Sequence, residues 1–338
     1  MKIVISDYPD SMMPTHDEEQ QLLRTHFPDC EIVIYEYSDE KRQEFFNVIH
    51  DADAILTAFM PIDEEAMSQA PGLKVISLNA TGYDNVDLSA ATQRGIGVCP
   101  VGEYSTIDVA EFTMAMMMSL VKNLKQYGHD IDHHHQWRFD YVTPNPRLQD
   151  MTLGILGFGK IGQAVAKRAL ALGMTVIACD PFIDQKILVD LNVTSVTQEK
   201  LFATADVISN HMNLTDSNKG LFNRSNFLKM TQRPYLINMG RGASIIEADL
   251  IWALDQGHLK GAGLDLLGDE TPDLTNHPLV GRSDVLITPH AAFYSTTSIK
   301  ELKRISTENI VYYLQGQMDK VFKLVNEGAI WHNEPISH

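Results

Sequence analysis

Cysteine is scarce in this chain of 338 residues, and the three present, Cys30, Cys99 and Cys179, are widely spaced with no Cys-x-x-Cys pair. That pattern excludes a disulfide framework and argues against a thiolate zinc or redox centre, leaving them as reduced, small apolar residues. Positive charge is also short, with 27 Lys and Arg against 44 Asp and Glu and a formal net charge of -17. Such a balance disfavours binding to a phosphate backbone or an anionic membrane, both of which need a basic patch. Long hydrophobic runs are missing as well. The most apolar stretch, Phe112 to Val121, falls well short of the roughly 20 residues of a membrane helix. Near the start, Ile3-Val4-Ile5 is cut by Asp7 and reads as a strand rather than a signal-peptide core. No low-complexity tract interrupts the chain. A cytoplasmic protein with a small-molecule ligand, no nucleic-acid partner and no membrane partner is the expectation.

What the sequence does have is alternation. At about 100 to 200 residues per domain the length suggests two domains. The first hundred residues place apolar β-type runs at Lys2 to Ser6, Ile32 to Tyr37, Ala54 to Phe59, Lys74 to Asn79 and Gly97 to Val101, separated by helical stretches. A second series begins after Asp150, with runs at Thr152 to Leu156, Thr175 to Ala178, Val207 to Ser209, Tyr235 to Ile237, Gly261 to Leu264 and Val285 to Thr288. Both read as parallel sheets wrapped by helices. Between them, Ser105-x-x-Asp108 looks like a capping box opening a methionine-rich helix, expected to connect the domains and to fill a core or an interface. A helix is expected over Ser295 to Gly316, followed by a β-type run at Lys320 to Val325 that rejoins the first domain.

Gly157-Phe158-Gly159-Lys160-Ile161-Gly162 follows one apolar run and opens a helical stretch. In that context Gly157 permits a tight turn, Gly159 lets backbone approach a pyrophosphate, and Gly162 lets helix and strand pack closely. The alternative is a glycine-rich turn in a domain without cofactor. Asp180, at the end of the next strand, stands where a carboxylate can bond both ribose hydroxyls and repel a 2′-phosphate, which favours NAD over NADP. Gly157, Asp180, His211, Arg241, Asp265 and His290 all fall just past apolar runs, and in an open α/β sheet those ends share one edge. Singly, Asp265 could be a turn acid, His211 a satisfied core histidine and Arg241 a surface residue. Together, Arg241, Glu270 and His290 supply a forked cation for a carboxylate and its neighbouring carbonyl, a carboxylate to orient a proton donor, and the donor itself.

These segments, with Asn238 to Gly242, Gly261 to Asp265 and Thr288-Pro289-His290, occur in an order that resembles the D-isomer-specific 2-hydroxyacid dehydrogenases over the whole chain. The resemblance implies two doubly wound parallel-sheet domains: a Rossmann NAD-binding domain, 103–297, inserted into a discontinuous flavodoxin-like substrate domain, 1–102 and 298–338. It implies hydride transfer between nicotinamide and C2 of a small D-2-hydroxy or 2-oxo acid in a homodimer, with Arg241, Glu270 and His290 catalytic. It further implies that Asp265 meets the nicotinamide carboxamide, that Thr106 touches the cofactor, and that Ala80-Thr81-Gly82 offers backbone N–H groups to the substrate. The dinucleotide would be held by Thr106, Gly157, Phe158, Gly159, Lys160, Ile161, Gly162, Asp180, His211 and Asp265, and the substrate by Thr81, Gly82, Tyr104 and Arg241.

His290 to Ser295 is similar to the segment in C-terminal binding proteins and in D-lactate dehydrogenases, and Tyr104-Ser105 looks like the lactate branch. The chain departs from the former in Phe293, where they typically carry tryptophan, and from many relatives in Asn213, where they place proline. An NAD(H)-responsive, protein-binding regulator is therefore the alternative to the enzyme. His129 and His133 to His135 lack an evident carboxylate or cysteine ligand set, so no metal is expected and the segment reads as solvated surface.

Overall fold

The computed structural model describes residues 1–11, 13, 15–269 and 272–328. Glu270 lies outside them. Two compact units emerge, one formed by Met1–Tyr104 with the chain from Ser295 onward, the other by Ser105–Tyr294.

In the first unit, β1 (Lys2–Asp7), β2 (Glu31–Glu36), β3 (Ala54–Thr57), β4 (Val75–Leu78) and β5 (Gly97–Pro100) pair in parallel in the order β2-β1-β3-β4-β5. This is the flavodoxin-like order, with its topological switch between β1 and β3. A side chain occupies that switch: the buried carboxylate of Asp7 accepts the backbone N–H groups of Ala58, Phe59 (2.9 Å) and Met60 (3.2 Å). The helix Thr296–Leu314 packs against β3, β4 and β5, burying Ile310, Val311 and Tyr313. It opens with a capping box between Ser295 and Ser298, satisfying amides that the first helical turn leaves without intrahelical partners.

The second unit holds β6 (Thr152–Leu156), β7 (Thr175–Cys179), β8 (Thr194–Ser195), β9 (Val207–Asn210), β10 (Tyr235–Asn238), β11 (Gly261–Leu264) and β12 (Val285–Ile287). All pair in parallel, in the order β12-β11-β10-β9-β6-β7-β8. Counted from β6, this is the Rossmann order 3-2-1-4-5-6 with a seventh strand added, and the switch falls between β6 and β9. Strand interiors such as β9 and β10 are buried at every position, as expected for parallel strands covered on both faces.

The doubly wound parallel architecture and the strands read from the sequence are borne out, each of those strands to within two residues at either end. Three details differ. The helix after Ser105 runs Thr106–Val121, but the Ser105 side chain does not cap it; the Ser105 backbone, at φ -118° and ψ 14°, is not the extended conformation of a capping residue. Rather than standing as a connector, the helix belongs to the second unit's core, where Met114, Met116 and Met117 are buried. The Lys320 to Val325 run forms no strand. It docks through Val321 and Leu324, one backbone bond from the Val325 N–H to the Val98 carbonyl at 3.0 Å, and two asparagines: Asn309 accepts the Phe322 N–H at 2.9 Å, and Asn326 accepts the Val98 N–H at 2.9 Å while donating to the Ile96 carbonyl at 2.9 Å. β8 is only two residues long, too short for a periodicity signal.

Candidate active site

Gly157, Asp180, His211, Arg241, Asp265 and His290 follow β6, β7, β9, β10, β11 and β12, so the parallel sheet carries them all along its carboxyl edge. Gly157 has φ +82°, and a Cβ there would lie 2.8 Å from the Met212 nitrogen. Only glycine suits a position that is both left-handed and pressed against the next strand's loop at the switch. Gly162 is excluded from bearing a side chain by the Gly157 carbonyl, 2.4 Å from its would-be Cβ. At Gly159 the corresponding position meets nothing within 4 Å. Gly159 precedes the helix Lys160–Ala171 and supplies no side-chain cap, so the first N–H groups of that helix face space that a phosphate can fill.

Asp180 accepts the Phe158 N–H at 2.7 Å on one carboxylate oxygen and the Phe182 N–H at 2.9 Å on the other. A carboxylate offers about four lone-pair sites, so two remain for ribose hydroxyls. His211 pairs through Nε2 with the Ser209 hydroxyl at 2.8 Å, and its buried Nδ1 has no partner among the described residues. Burial pushes this imidazole down to about 4, so it is neutral at physiological pH. Open backbone at Gly159, spare acceptor capacity at Asp180 and an orphaned nitrogen at His211 together fit a dinucleotide.

The Arg241 loop is fixed by a buried polar network that the sequence reading missed. Asn210 Nδ2 donates to Asn238 Oδ1 at 2.8 Å and to Ser244 Oγ at 3.2 Å, while Asn238 Nδ2 and the Ser244 hydroxyl donate to the Arg241 carbonyl at 3.0 and 2.7 Å. Both asparagines are fully buried. Leaving one member of such a network unpaired costs about 1–3 kcal/mol. Gly242 closes the loop against Leu267, whose carbonyl oxygen would lie 1.7 Å from any Cβ there. Asparagine at the last position of two neighbouring strand runs was the available signal, since a polar side chain at the floor of a buried sheet must find a partner.

Asp265 is 2 % exposed and organises the His290 turn. One carboxylate oxygen accepts the Thr288 hydroxyl at 2.6 Å and the Ala291 N–H at 2.8 Å; the other accepts the Ala292 N–H at 3.0 Å. The His290 N–H reaches the Asp265 carbonyl at 2.7 Å, and His290 sits at φ +51°. A non-glycine residue held in that left-handed conformation marks a turn determined by its surroundings. Phe293 meets the His290 ring edge-on, with centroids 6.1 Å apart.

Among the other expected site residues, Thr106 opens the helix Thr106–Val121. Thr81 and Gly82 lie in the bend just past β4. Tyr104 packs against Val101, Leu302 and Ile305. Among the described residues no helix is long and apolar enough to cross a membrane.

Residues 114–292 match the family model "D-isomer specific 2-hydroxyacid dehydrogenase, NAD binding domain". The chain belongs to this family. It is 32% identical over 300 residues to a hydroxypyruvate reductase of Blautia hydrogenotrophica, covering 85% of this chain and 90% of that one. Against a glyoxylate reductase of Thermofilum pendens it is 32% identical over 310 residues, covering 89% and 90%. The crystal structure of a D-lactate dehydrogenase from Aquifex aeolicus, complexed with NAD and lactic acid, superimposes with a TM-score of 0.83 at 26% identity, covering 96% of this chain and 99% of that one. The chain is thus an NAD-dependent D-2-hydroxyacid dehydrogenase, and the regulatory alternative is not favoured.

Proposed function

We propose that this dehydrogenase reduces a short 2-oxo acid of two or three carbons at C2 to the D-2-hydroxy acid, with NADH as reductant. The observation that carries the reading is the placement of Arg241 and the Asp265-anchored His290 turn at the carboxyl ends of β10, β11 and β12. Adjacent strands lie about 4.8 Å apart, so the ends of β10 and β12 are separated by about 10 Å, a span that a small substrate and two long side chains can bridge. The hydroxypyruvate and glyoxylate reductases among the relatives support the substrate size.

Bound NADH supplies the hydride. Arg241 pairs with the substrate carboxylate and polarises the C2 carbonyl, its planar fork serving both oxygens. His290, as imidazolium, delivers a proton to the carbonyl oxygen as C2 becomes a carbinol; in the reverse direction neutral His290 takes the hydroxyl proton. Glu270 is assigned as the carboxylate that orients His290. Asp180 takes the adenosine ribose, Gly157 to Gly162 with Thr106 the phosphates, and His211 and Asp265 the nicotinamide side. Substrate contacts are assigned in the first unit to Thr81, Gly82 and Tyr104, making that unit the substrate domain.

A homodimer is also proposed. The buried methionines of Thr106–Val121 give it no support, but Trp137 and Phe139, 91% and 81% exposed, are apolar area that association would cover. The free cysteines suit a reducing, cytoplasmic compartment. NADH oxidation with glyoxylate, hydroxypyruvate, pyruvate, phenylpyruvate and 3-phosphohydroxypyruvate tests the reading, with chiral chromatography of the product. Turnover is expected with the two- and three-carbon acids and a D-product. Intact NADH binding without turnover on any of them overturns it.

A further inference from the structure

The helix Leu124–His134 carries two imidazoles and a carboxylate that the dehydrogenase chemistry does not use. His129, Asp130 and His134 each offer one ligand atom, all within 4.8 Å of one another. His129 Nδ1 lies 3.7 Å and His134 Nε2 3.8 Å from the same Asp130 oxygen. Two ligands on one tetrahedral zinc ion, at bond lengths near 2.0 to 2.1 Å, stand about 3.3 Å apart. The two separations to the Asp130 oxygen therefore need to close by about half an ångström or less, and the two imidazole nitrogens start within 4.8 Å of each other.

The two kinds of ligand are held differently. Asp130 has 15% of its side chain exposed, against 57% for His129 and 54% for His134, so the carboxylate is fixed and the imidazoles are free to adjust. The Tyr141 hydroxyl stands beside the Asp130 carboxylate. The Tyr141 ring in turn meets Tyr127 edge-on at 5.7 Å, and the Tyr127 hydroxyl donates to the Phe139 carbonyl at 3.1 Å. A partner that fixes a ligating carboxylate is the second layer that metal sites use to set ligand orientation. His134 lies in the last turn of its helix, the end of the helix dipole that favours a cation.

We propose that His129, Asp130 and His134 bind one divalent transition-metal ion of the zinc class, with water completing the coordination. Two imidazole nitrogens and one carboxylate oxygen are a borderline donor set that suits Zn(II), Co(II) or Ni(II) and does not suit the all-oxygen preference of Mg(II) or Ca(II). The register explains the set. Asp130 and His134 are one turn apart on the helix, and His129 comes from the turn's adjacent position. Tyr141 acts as a positioning residue from the segment that folds back on the helix.

The test is titration of the untagged, full-length, metal-stripped protein with Zn(II) by calorimetry and with Co(II) by visible absorption. One equivalent should bind with micromolar affinity, and Co(II) should develop the intense visible bands of a low-coordinate site. His129→Ala and His134→Ala should each weaken binding at least tenfold with unchanged circular dichroism and NADH binding. Tyr141→Phe should weaken it about tenfold, as loss of an outer-layer partner does, and His133→Ala should leave it within threefold. Absence of a one-equivalent event in the native protein overturns the proposal. So does an event that survives the double replacement of His129 and His134 by alanine. Loss in His133→Ala with retention in His134→Ala would show that the ligand set is wrong, because the His129 and His133 rings, 4.6 Å apart, would then be the pair that binds.

Discussion

Asp180 accepts the Phe158 N–H at 2.7 Å, so the carboxylate assigned to the adenosine ribose also pins the second residue of the glycine loop. Recognition and loop geometry are coupled through one side chain. Asp180→Ala should therefore lower catalytic efficiency with NADH by about 10- to 100-fold, since a buried amide left unpaired costs about 1–3 kcal/mol, and should lower thermal stability at the same time. The ratio of NADPH to NADH efficiency should rise as the repulsion of a 2′-phosphate disappears. Steady-state kinetics with both cofactors measures it. A native protein that uses NADPH as well as NADH would refute the role given to Asp180.

Asn238 donates to the Arg241 carbonyl and accepts from Asn210, so it positions Arg241 without reaching substrate. Asn238→Ala should raise KM for the oxo acid and lower kcat, while NADH affinity, measured by fluorescence, changes less than threefold; the buried polar groups left behind should cost about 1–3 kcal/mol of stability. Equal losses in NADH and oxo-acid binding would mean that the network supports the whole sheet edge instead.

Replacing Arg241 by lysine keeps the charge and removes the fork. A point charge cannot serve carboxylate and carbonyl together, so Arg241→Lys should lose about 100-fold or more in kcat/KM, some 2.7 kcal/mol of transition-state stabilisation. Near-native turnover would place Arg241 outside the chemistry.

Burial holds His211 at about 4, against about 6.5 in an unfolded chain. The unfolded state then binds more protons between these values, so the neutral histidine's contribution is complete above about 6.5 and is lost as pH falls towards 4, by up to about 3 kcal/mol. Urea midpoints should fall more steeply over this window in the native protein than in His211→Gln. Parallel curves would assign the acid sensitivity elsewhere.

Strand order and the ligand edge were legible because parallel strands buried on both faces leave continuous apolar runs, and a polar residue ending such a run stands out. Arg241 and Asp180 were visible for that reason. Asn210 and Asn238 also close apolar runs, but their role was not legible, because the partners that give it come from another strand and another loop. The Lys320 to Val325 run misled through composition: Val321 and Leu324 pack on the first unit's core, a role that needs apolar side chains but no ladder. At the histidine cluster, the i, i+4 pair His129 and His133 drew attention, whereas the carboxylate within reach, Asp130, pairs with the next histidine along.

Proton delivery by His290 gives the sharpest test. Reduction consumes a proton on the imidazole, and oxidation requires the imidazole to be vacant. Catalytic efficiency for 2-oxo acid reduction should therefore decline as rising pH removes the proton to be donated, while efficiency for 2-hydroxy acid oxidation rises. Asp265 fixes the turn that aims the ring, through the amides of Ala291 and Ala292. The charge that stabilises the imidazolium is assigned to Glu270, twenty residues before His290 in sequence (290 - 270 = 20). Glu270→Gln keeps the shape and removes the charge, so the reduction limb should move to lower pH and activity near neutrality should fall mainly in the reductive direction. His290→Gln should abolish both limbs and leave NADH binding intact. The measurement is kcat/KM against pH in both directions for the three proteins, with a solvent isotope effect to establish that proton transfer contributes to the rate. If the limb stays in place in a folded, NADH-binding Glu270→Gln protein, the two residues do not act as a pair and the histidine works alone.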